Sequence, residues 1–318
     1  MSRSPAHQPA DVGGVTMTVV AAACFATLGP LAEFGDRAGV GTLAFVLWRA
    51  ALGAASVTLV LLLVRAAGQP TGVRALRDVP VRDRWFVFLA GTANALINFC
   101  VFVAFVRVGI TLSLLVFYLY PAWVALASVA WLGERLDGLR WGALGMALVG
   151  SVLVVAGGGG IGQLDMLGIG LAFAAGIGQT FYVLAARHGF NYISGAQAAV
   201  LTMTLAAVLY LVAGAVLGVG ATLLSPLESG AALWPVVLAG IVGAGVPTFL
   251  YINGVRRLGA PRAAILAMFE PVVAVALAFL LLQERPAAAQ LFGGALIVAA
   301  AVTLQLRPRA DVADHEAI

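Results

Sequence analysis

Residues 268–285 read MFEPVVAVALAFLLLQER: a Glu-Pro pair, Glu270-Pro271, set inside a membrane-length apolar segment that closes on Glu284-Arg285. Residues 118–135 read YLYPAWVALASVAWLGER, so at an offset of 150 residues Pro121 pairs with Pro271, Leu132 with Leu282, Glu134 with Glu284 and Arg135 with Arg285. The same offset carried backwards aligns Arg107 with Arg257 and Gly109 with Gly259. Chains rich in Ala, Leu and Val match by chance. The weight therefore falls on the punctuating residues, Pro, Gly and the terminal charge pairs, which keep register and mark one unit written twice.

Composition places that unit in a bilayer. Of 318 residues 62% are apolar and 10% charged, and the mean hydropathy is +1.03. Soluble domains carry roughly a quarter charged residues. Apolar runs near 20 residues match the thickness of a hydrocarbon core, and they fall at 13–34, 40–64, 85–106, 111–133, 138–157, 165–186, 195–217, 232–254, 261–282 and 287–306. The expected fold is an all-α integral membrane protein of ten transmembrane helices. The runs are continuous, whereas membrane strands alternate polar and apolar residues. Polar tails at 1–12 and 307–318 flank two five-helix repeats, 13–157 and 163–306.

All 18 basic residues are Arg, and most sit beside helix ends, which is an orientation signal and not a nucleic-acid surface. On the ten-helix reading, fourteen Arg fall in the loops and tails on the side of the N-terminus. Only Arg37, Arg107 and Arg285 fall on the other side. The positive-inside rule then puts both termini in the cytoplasm, in the cytoplasmic membrane. Five helices per repeat is an odd number, so the second copy enters from the opposite face and the repeats are inverted. Two near-equivalent halves of this kind can exchange roles, one sealing one mouth while the other opens, which is the geometry of alternating access. The 38 Gly, with abundant Ala, let helix backbones approach closely.

No cofactor or metal follows from the residues. Cys24 and Cys100 both lie inside apolar runs and read as packing residues, not as a disulfide or zinc framework. The glycine run 157–160 lacks the Lys and Ser or Thr that a phosphate-cradling loop needs and reads as a flexible turn. The histidines, His7, His188 and His315, are scattered.

Two charges lie well inside apolar runs, Arg49 and Glu270. Each costs about 2.5–3.5 kcal/mol at the bilayer centre on insertion scales, so each is expected to face a cavity or a partner. Three roles fit Glu270: an ion pair with Arg49, a contact to a cationic or amino group of a solute, or a proton carrier. Arg49 is expected to snorkel or to bind a carboxylate. Pro271 and Pro121 cannot donate to the helix ladder and so mark hinges, leaving the carbonyls of Ala267 and Phe117 free. Tyr120 takes the place of Glu270 in the first repeat, beside Tyr118. Asn94 and Asn98 share a helix face at i, i+4, Asn98 aligns with Thr248, and Gln179 and Tyr182 share a face of the sixth helix. As a set these suit the orientation of a small polar solute. Trp85, Trp131, Trp141 and Trp234 lie near helix ends, whereas Trp48 and Trp123 lie deeper and are expected to wall a cavity.

These residues resemble the drug/metabolite transporter superfamily, EamA-like branch. The likeness rests on the paired signatures at 119–135 and 269–285, on Trp48-Arg49, and on Arg107-Val108-Gly109 and Arg257-Leu258-Gly259. It covers about 13–306. It departs from the family pattern at Gln283, where Gly usually precedes the Glu. The resemblance implies ten helices in two inverted repeats around a central cavity, export of small metabolites such as amino acids, and a functional Glu-Pro at Glu270-Pro271. The expected partners are a small-molecule substrate, protons as coupling ion and the lipid bilayer. A secondary transporter moving a polar or amphipathic metabolite outward is the leading reading. A membrane enzyme acting on a lipid-linked substrate is the alternative.

Overall fold

Apolar residues with internally satisfied backbones leave helix as the open-chain solution in lipid, and helix is what forms. The computed structural model describes residues 11–133, 136–157, 165–282 and 285–305. The charges Glu134, Arg135 and Glu284, together with Gln283, Gly158 to Gly160 and the outer parts of both tails, lie outside the described residues. The helical segments are α1 (Val12–Arg37), α2 (Thr42–Ala66), α3 (Val81–Gly109), α4 (Leu112–Leu132), α5 (Gly138–Gly157), α6 (Met166–His188), α7 (Gly195–Val216), α8 (Gly230–Leu258), α9 (Ala260–Leu281) and α10 (Ala288–Leu304). The first nine are long and apolar enough to cross a membrane; α10 is a shorter apolar helix. No strand occurs among the described residues.

Packing pairs α1 with α8, α2 with α7, α3 with α6, and α5 with α10, while α4 and α9 meet across the middle. Small residues make the close approaches. A Cβ added to Gly150 of α5 would stand 2.7 Å from the carbonyl oxygen of Gly293 in α10, so those two backbones touch. Large aliphatic and aromatic side chains such as Leu59, Leu63, Leu280 and Phe292 point outward, as a lipid-facing surface requires.

Four helices are interrupted. α1 turns at Ala26–Thr27, where the Thr27 hydroxyl donates to the carbonyl of Cys24 at 2.7 Å. α8 contains a π-helical turn at Ile241–Gly245. α4 and α9 break at corresponding places: Tyr118–Leu119 and Met268–Phe269 form turns, and new helical segments start at Tyr120 and Glu270. The prolines expected as mid-helix hinges thus open a second segment, where a missing N–H costs nothing. Gly109 (φ 79°, ψ 162°) and Gly259 (φ 86°, ψ 157°) turn the chain sharply into α4 and α9.

Polar side chains tie the loops to the ends of the bundle. At one end Gln197 clamps the main chain of Arg74, accepting from its N–H at 3.0 Å and donating to its carbonyl at 2.6 Å. Arg256 donates to the carbonyls of Phe190 (2.6 Å) and Ile193 (3.1 Å), Arg187 donates to the carbonyl of Arg256, and Asp83 accepts from the N–H of Tyr192 at 3.1 Å. At the other end Arg107 pairs with Asp165 at 2.6 Å.

Candidate functional site

The breaks in α4 and α9 set the site. Because the chain turns before Tyr120 and before Glu270, each residue sits in the first turn of the second segment of its helix, and both border one cavity of about 390 Å³. Arg49 from α2, Asn94 and Asn98 from α3, Tyr118 from α4, Gln179 and Tyr182 from α6, and Thr248 from α8 border the same space. Nine of the ten side chains singled out as solute contacts are therefore brought together. The offset of 150 residues that pairs Tyr120 with Glu270 and Asn98 with Thr248 brings each pair to one cavity.

Trp48 is the exception. Its indole N–H donates to the carbonyl of Leu223 at 2.7 Å, outside the cavity wall. Successive helix residues point about 100° apart, so Arg49 facing the cavity turns its neighbour toward the loop before α8. Trp123 is likewise away from the cavity; its ring meets Phe173 edge-on with centroids 5.8 Å apart. Both expectations of a Trp wall are corrected on this geometry.

Aromatic residues that the sequence reading passed over form much of the wall, including Phe25, Phe45, Phe102, Phe117 and Tyr251. A signal for Tyr251 was present, since it lies three residues after Thr248 and so on the same helix face. Phe25 reaches the cavity through the turn at Ala26–Thr27, for which Gly29-Pro30, at the start of the next helical segment, was an unused signal.

Glu270 and Arg49 occupy the cavity together and sense one another's charge, but no ion pair within 4 Å joins them among the described residues. The phenol of Tyr118 faces the Glu270 carboxyl. Arg49 is 9% exposed, and its Nε has no hydrogen-bond partner among the described residues. Asn98 is directed by its neighbour, its amide nitrogen donating to the carbonyl oxygen of Asn94 at 2.7 Å and to Asn94 Oδ1 at 3.3 Å. The hydroxyl of Thr180 donates to Gly176 at 3.0 Å and reaches the carbonyl of Tyr120 at 3.4 Å, which ties α6 to the break in α4.

From this polar centre the cavity runs to Glu33, Asp36 and Val106 at the surface of the bundle. Those residues stand at the end that carries Arg37, Arg107 and Asp165. Asp165 caps α6 there, accepting from the N–H of Leu167 at 2.9 Å. The Arg107 guanidinium, with help from that N–H, holds the Asp165 carboxyl below the usual carboxylate range. Arg37 is engaged by Glu33 at 2.9 Å.

Comparison with known proteins agrees with this architecture. A crystal structure described only as that of a protein superimposes with a TM-score of 0.74 over 92% of this chain and 97% of its own, at 20% sequence identity, and so shares the fold. An uncharacterized transporter, sll1319, of Synechocystis sp. is 28% identical over 200 residues, which are 61% of this chain. The chain spans 58% of the length of that relative. The model of the EamA-like transporter family matches residues 12–156 and again 166–305, nearly all of the sequence. The chain belongs to the EamA-like transporter family.

Proposed function

We propose that the chain is a secondary transporter that carries a small polar or amphipathic, amino-acid-like metabolite outward across the cytoplasmic membrane by alternating access. One observation carries the reading: a cavity of about 390 Å³ that holds Glu270 and Arg49 together inside the bundle and reaches the surface beside Glu33 and Asp36. Intramembrane charges facing a cavity mark a solute or ion pathway. Family membership favours transport over the alternative of an enzyme acting on a lipid-linked substrate.

The mechanism rests on ten helices arranged as two inverted five-helix repeats. Its support is a set of matching irregularities: positive-φ glycines at 109 and 259, and turns before Pro121 and Pro271. The packing pairs fit as well. Exchanging each helix for the one five places along turns the α1 with α8 contact into the α6 with α3 contact, and returns α2 with α7, α5 with α10 and α4 with α9 to themselves. By the positive-inside rule the Arg-rich end, with Arg65, Arg187, Arg256 and Arg257, faces the cytoplasm along with both termini, and the cavity faces out. Pro121 and Pro271 are the hinges about which the second segments of α4 and α9 tilt. Glu270, half-buried and open to the cavity, is the group that couples movement to protons.

The test is flux of labelled amino acids and related metabolites in proteoliposomes, wild type against Glu270→Gln, with and without an imposed pH gradient. The expected result is solute movement by wild type, with the variant retaining exchange and losing gradient-driven accumulation. A variant that accumulates solute like wild type removes Glu270 from coupling. Turnover of a lipid substrate without flux overturns the transport reading.

A further inference from the structure

Arg49 is a buried cation with no ion-pair or hydrogen-bond partner among the described residues. Its guanidinium keeps its charge and offers five donors in a planar fork. A buried charge without a counter-ion or hydrogen bonds costs several kcal/mol, so such groups are held where something neutralises them. Three carboxylates border its cavity. Glu33 is engaged by Arg37, Asp36 lies at the exposed mouth, and Glu270 lies beyond ion-pair distance facing Tyr118. Tyr210 lies near Arg49 and gives its hydroxyl proton to the carbonyl of Ala95 at 2.8 Å; its oxygen remains an acceptor, but Arg49 Nε has no hydrogen-bond partner among the described residues. The Tyr210 bond also brings α3 up to Arg49. Asn94, next along α3, accepts from Asn98 through its Oδ1 and so keeps its own amide nitrogen as a donor to the cavity.

A fork of unspent N–H donors, 9% exposed and bordering a solute-sized cavity, has the form of a carboxylate site. We propose that Arg49 anchors a carboxylate of the transported solute and thereby determines specificity, with Asn94 as a second donor. The inference rests on the transport reading for the word "transported"; the site itself rests on geometry. The solute's remaining polar end faces Glu270, so a monocarboxylate that also carries an ammonium group meets both charges, whereas the corresponding amine leaves Arg49 unpaired. Rejection of the amine follows from that unpaired charge and not from shape.

The experiment uses the full chain, as wild type, Arg49→Lys and Arg49→Gln. Three probe pools are compared: amino acids, their carboxamides, and the amines of the same carbon skeletons. Flux is read in proteoliposomes, and the unfolding midpoint is read in detergent with each pool added. The expected result is that wild type moves and is stabilised by the amino acids and not by the amines or carboxamides. Arg49→Gln should bind the amino acids roughly ten- to a hundredfold more weakly, the loss expected for a charge-assisted pair, and Arg49→Lys should recover only part, since a point charge does not match the fork. Amines moved as well as amino acids overturn the anchor while leaving transport standing. A midpoint raised by amino acids in wild type but not in Arg49→Gln, without flux, keeps the anchor and overturns transport. Midpoints indifferent to all three pools, or raised equally by chloride and phosphate, overturn the anchor.

Discussion

The contact between α5 and α10 allows packing to be tested apart from solute binding. A Cβ on Gly150 would lie 2.7 Å from the carbonyl oxygen of Gly293, 2.8 Å from Ile297 Cγ1 and 3.2 Å from the Ile297 nitrogen. Two of these neighbours are backbone atoms, which cannot rotate away. Ordinary contact begins near 3.4 Å, so the helices must separate by about 0.7 Å at this point. Overpacking of a close contact costs about 1–3 kcal/mol, whereas replacing Gly by Ala in a helix gains up to about 1 kcal/mol from propensity. The two effects oppose one another, so Gly150→Ala by itself is ambiguous. Gly145, in the same helix, meets nothing within 4 Å and supplies the propensity gain alone. The prediction is that Gly150→Ala is less stable than Gly145→Ala by about 1–3 kcal/mol, measured by equilibrium unfolding in mixed micelles with helix content as readout. Gly293→Ala should cost a similar amount, since its Cβ would lie 2.5 Å from the Gly150 oxygen. The double variant should cost less than the sum, because the first substitution already opens the gap the second one needs. A difference between Gly150→Ala and Gly145→Ala within about 0.5 kcal/mol, the scatter of surface substitutions, would refute the close approach.

Three further outcomes are expected. Stability near neutral pH should fall in the order wild type, Asp165→Asn, Asp165→Ala, because Asn keeps the cap of α6 while losing the charge that Arg107 engages; since the folded-state pKa of Asp165 is depressed, its contribution is full above the ordinary carboxylate range and lost as pH falls through and below it, so thermal midpoints of wild type and Asp165→Ala should converge in acid. Gly109→Ala and Gly259→Ala should each destabilise by about 1–3 kcal/mol through backbone strain alone, because positive φ with extended ψ suits only glycine and no atom lies within 4 Å of either Cβ; unfolding midpoints equal to wild type would remove the strain. Trp48→Phe should cost about 1 kcal/mol for the lost bond to Leu223 and leave relative rates between solutes unchanged, whereas altered selectivity in flux assays would return Trp48 to the cavity.

What the sequence made legible was whatever periodicity and punctuation encode. Pro121 and Pro271 locate the interruptions of α4 and α9 because a missing N–H acts locally, whatever packs around it. Asn94 with Asn98, and Gln179 with Tyr182, could be assigned to shared faces because helix geometry fixes the angle between residues three or four apart. The same rule does not say which way a helix is rotated. Trp48 and Arg49 are adjacent, only one of them can face the cavity, and the choice is settled by the loop before α8 and the start of α8, which pack against Trp48 through Leu223 and the cluster of Ala232, Val236 and Ala239. The turn at Ala26–Thr27 and the π-helical turn at Ile241–Gly245 likewise stand just before prolines, Pro30 and Pro247, so punctuation was present there too. What it does not encode is the form of the second break, a π-helical turn where Gly240 and Gly245 press against Leu52, Gly53 and Ser56 of α2, a long-range packing event.

The ion-pair role for Glu270 shows the limit most sharply. Opposite charges in two apolar helices suggest a bond, but whether they touch depends on a few ångströms of helix translation, to which a sequence pattern is blind. Here they share the cavity without pairing. That separation is what makes the site chemically useful, since a tight Arg49–Glu270 pair would neutralise both groups and leave little field for a solute. The ends of the bundle complete the argument. At the Arg-rich end Arg187 and Arg256 donate to main-chain carbonyls across α6, α8 and the loop after α6. On the proposed cycle, opening that end exchanges these bonds for bonds to water, which changes free energy by about 1.5–3 kcal/mol for each bond donated by a charged group. Such a closure holds, and a solute bridging the unpaired charges must supply several kcal/mol of differential affinity to shift the population between the two states.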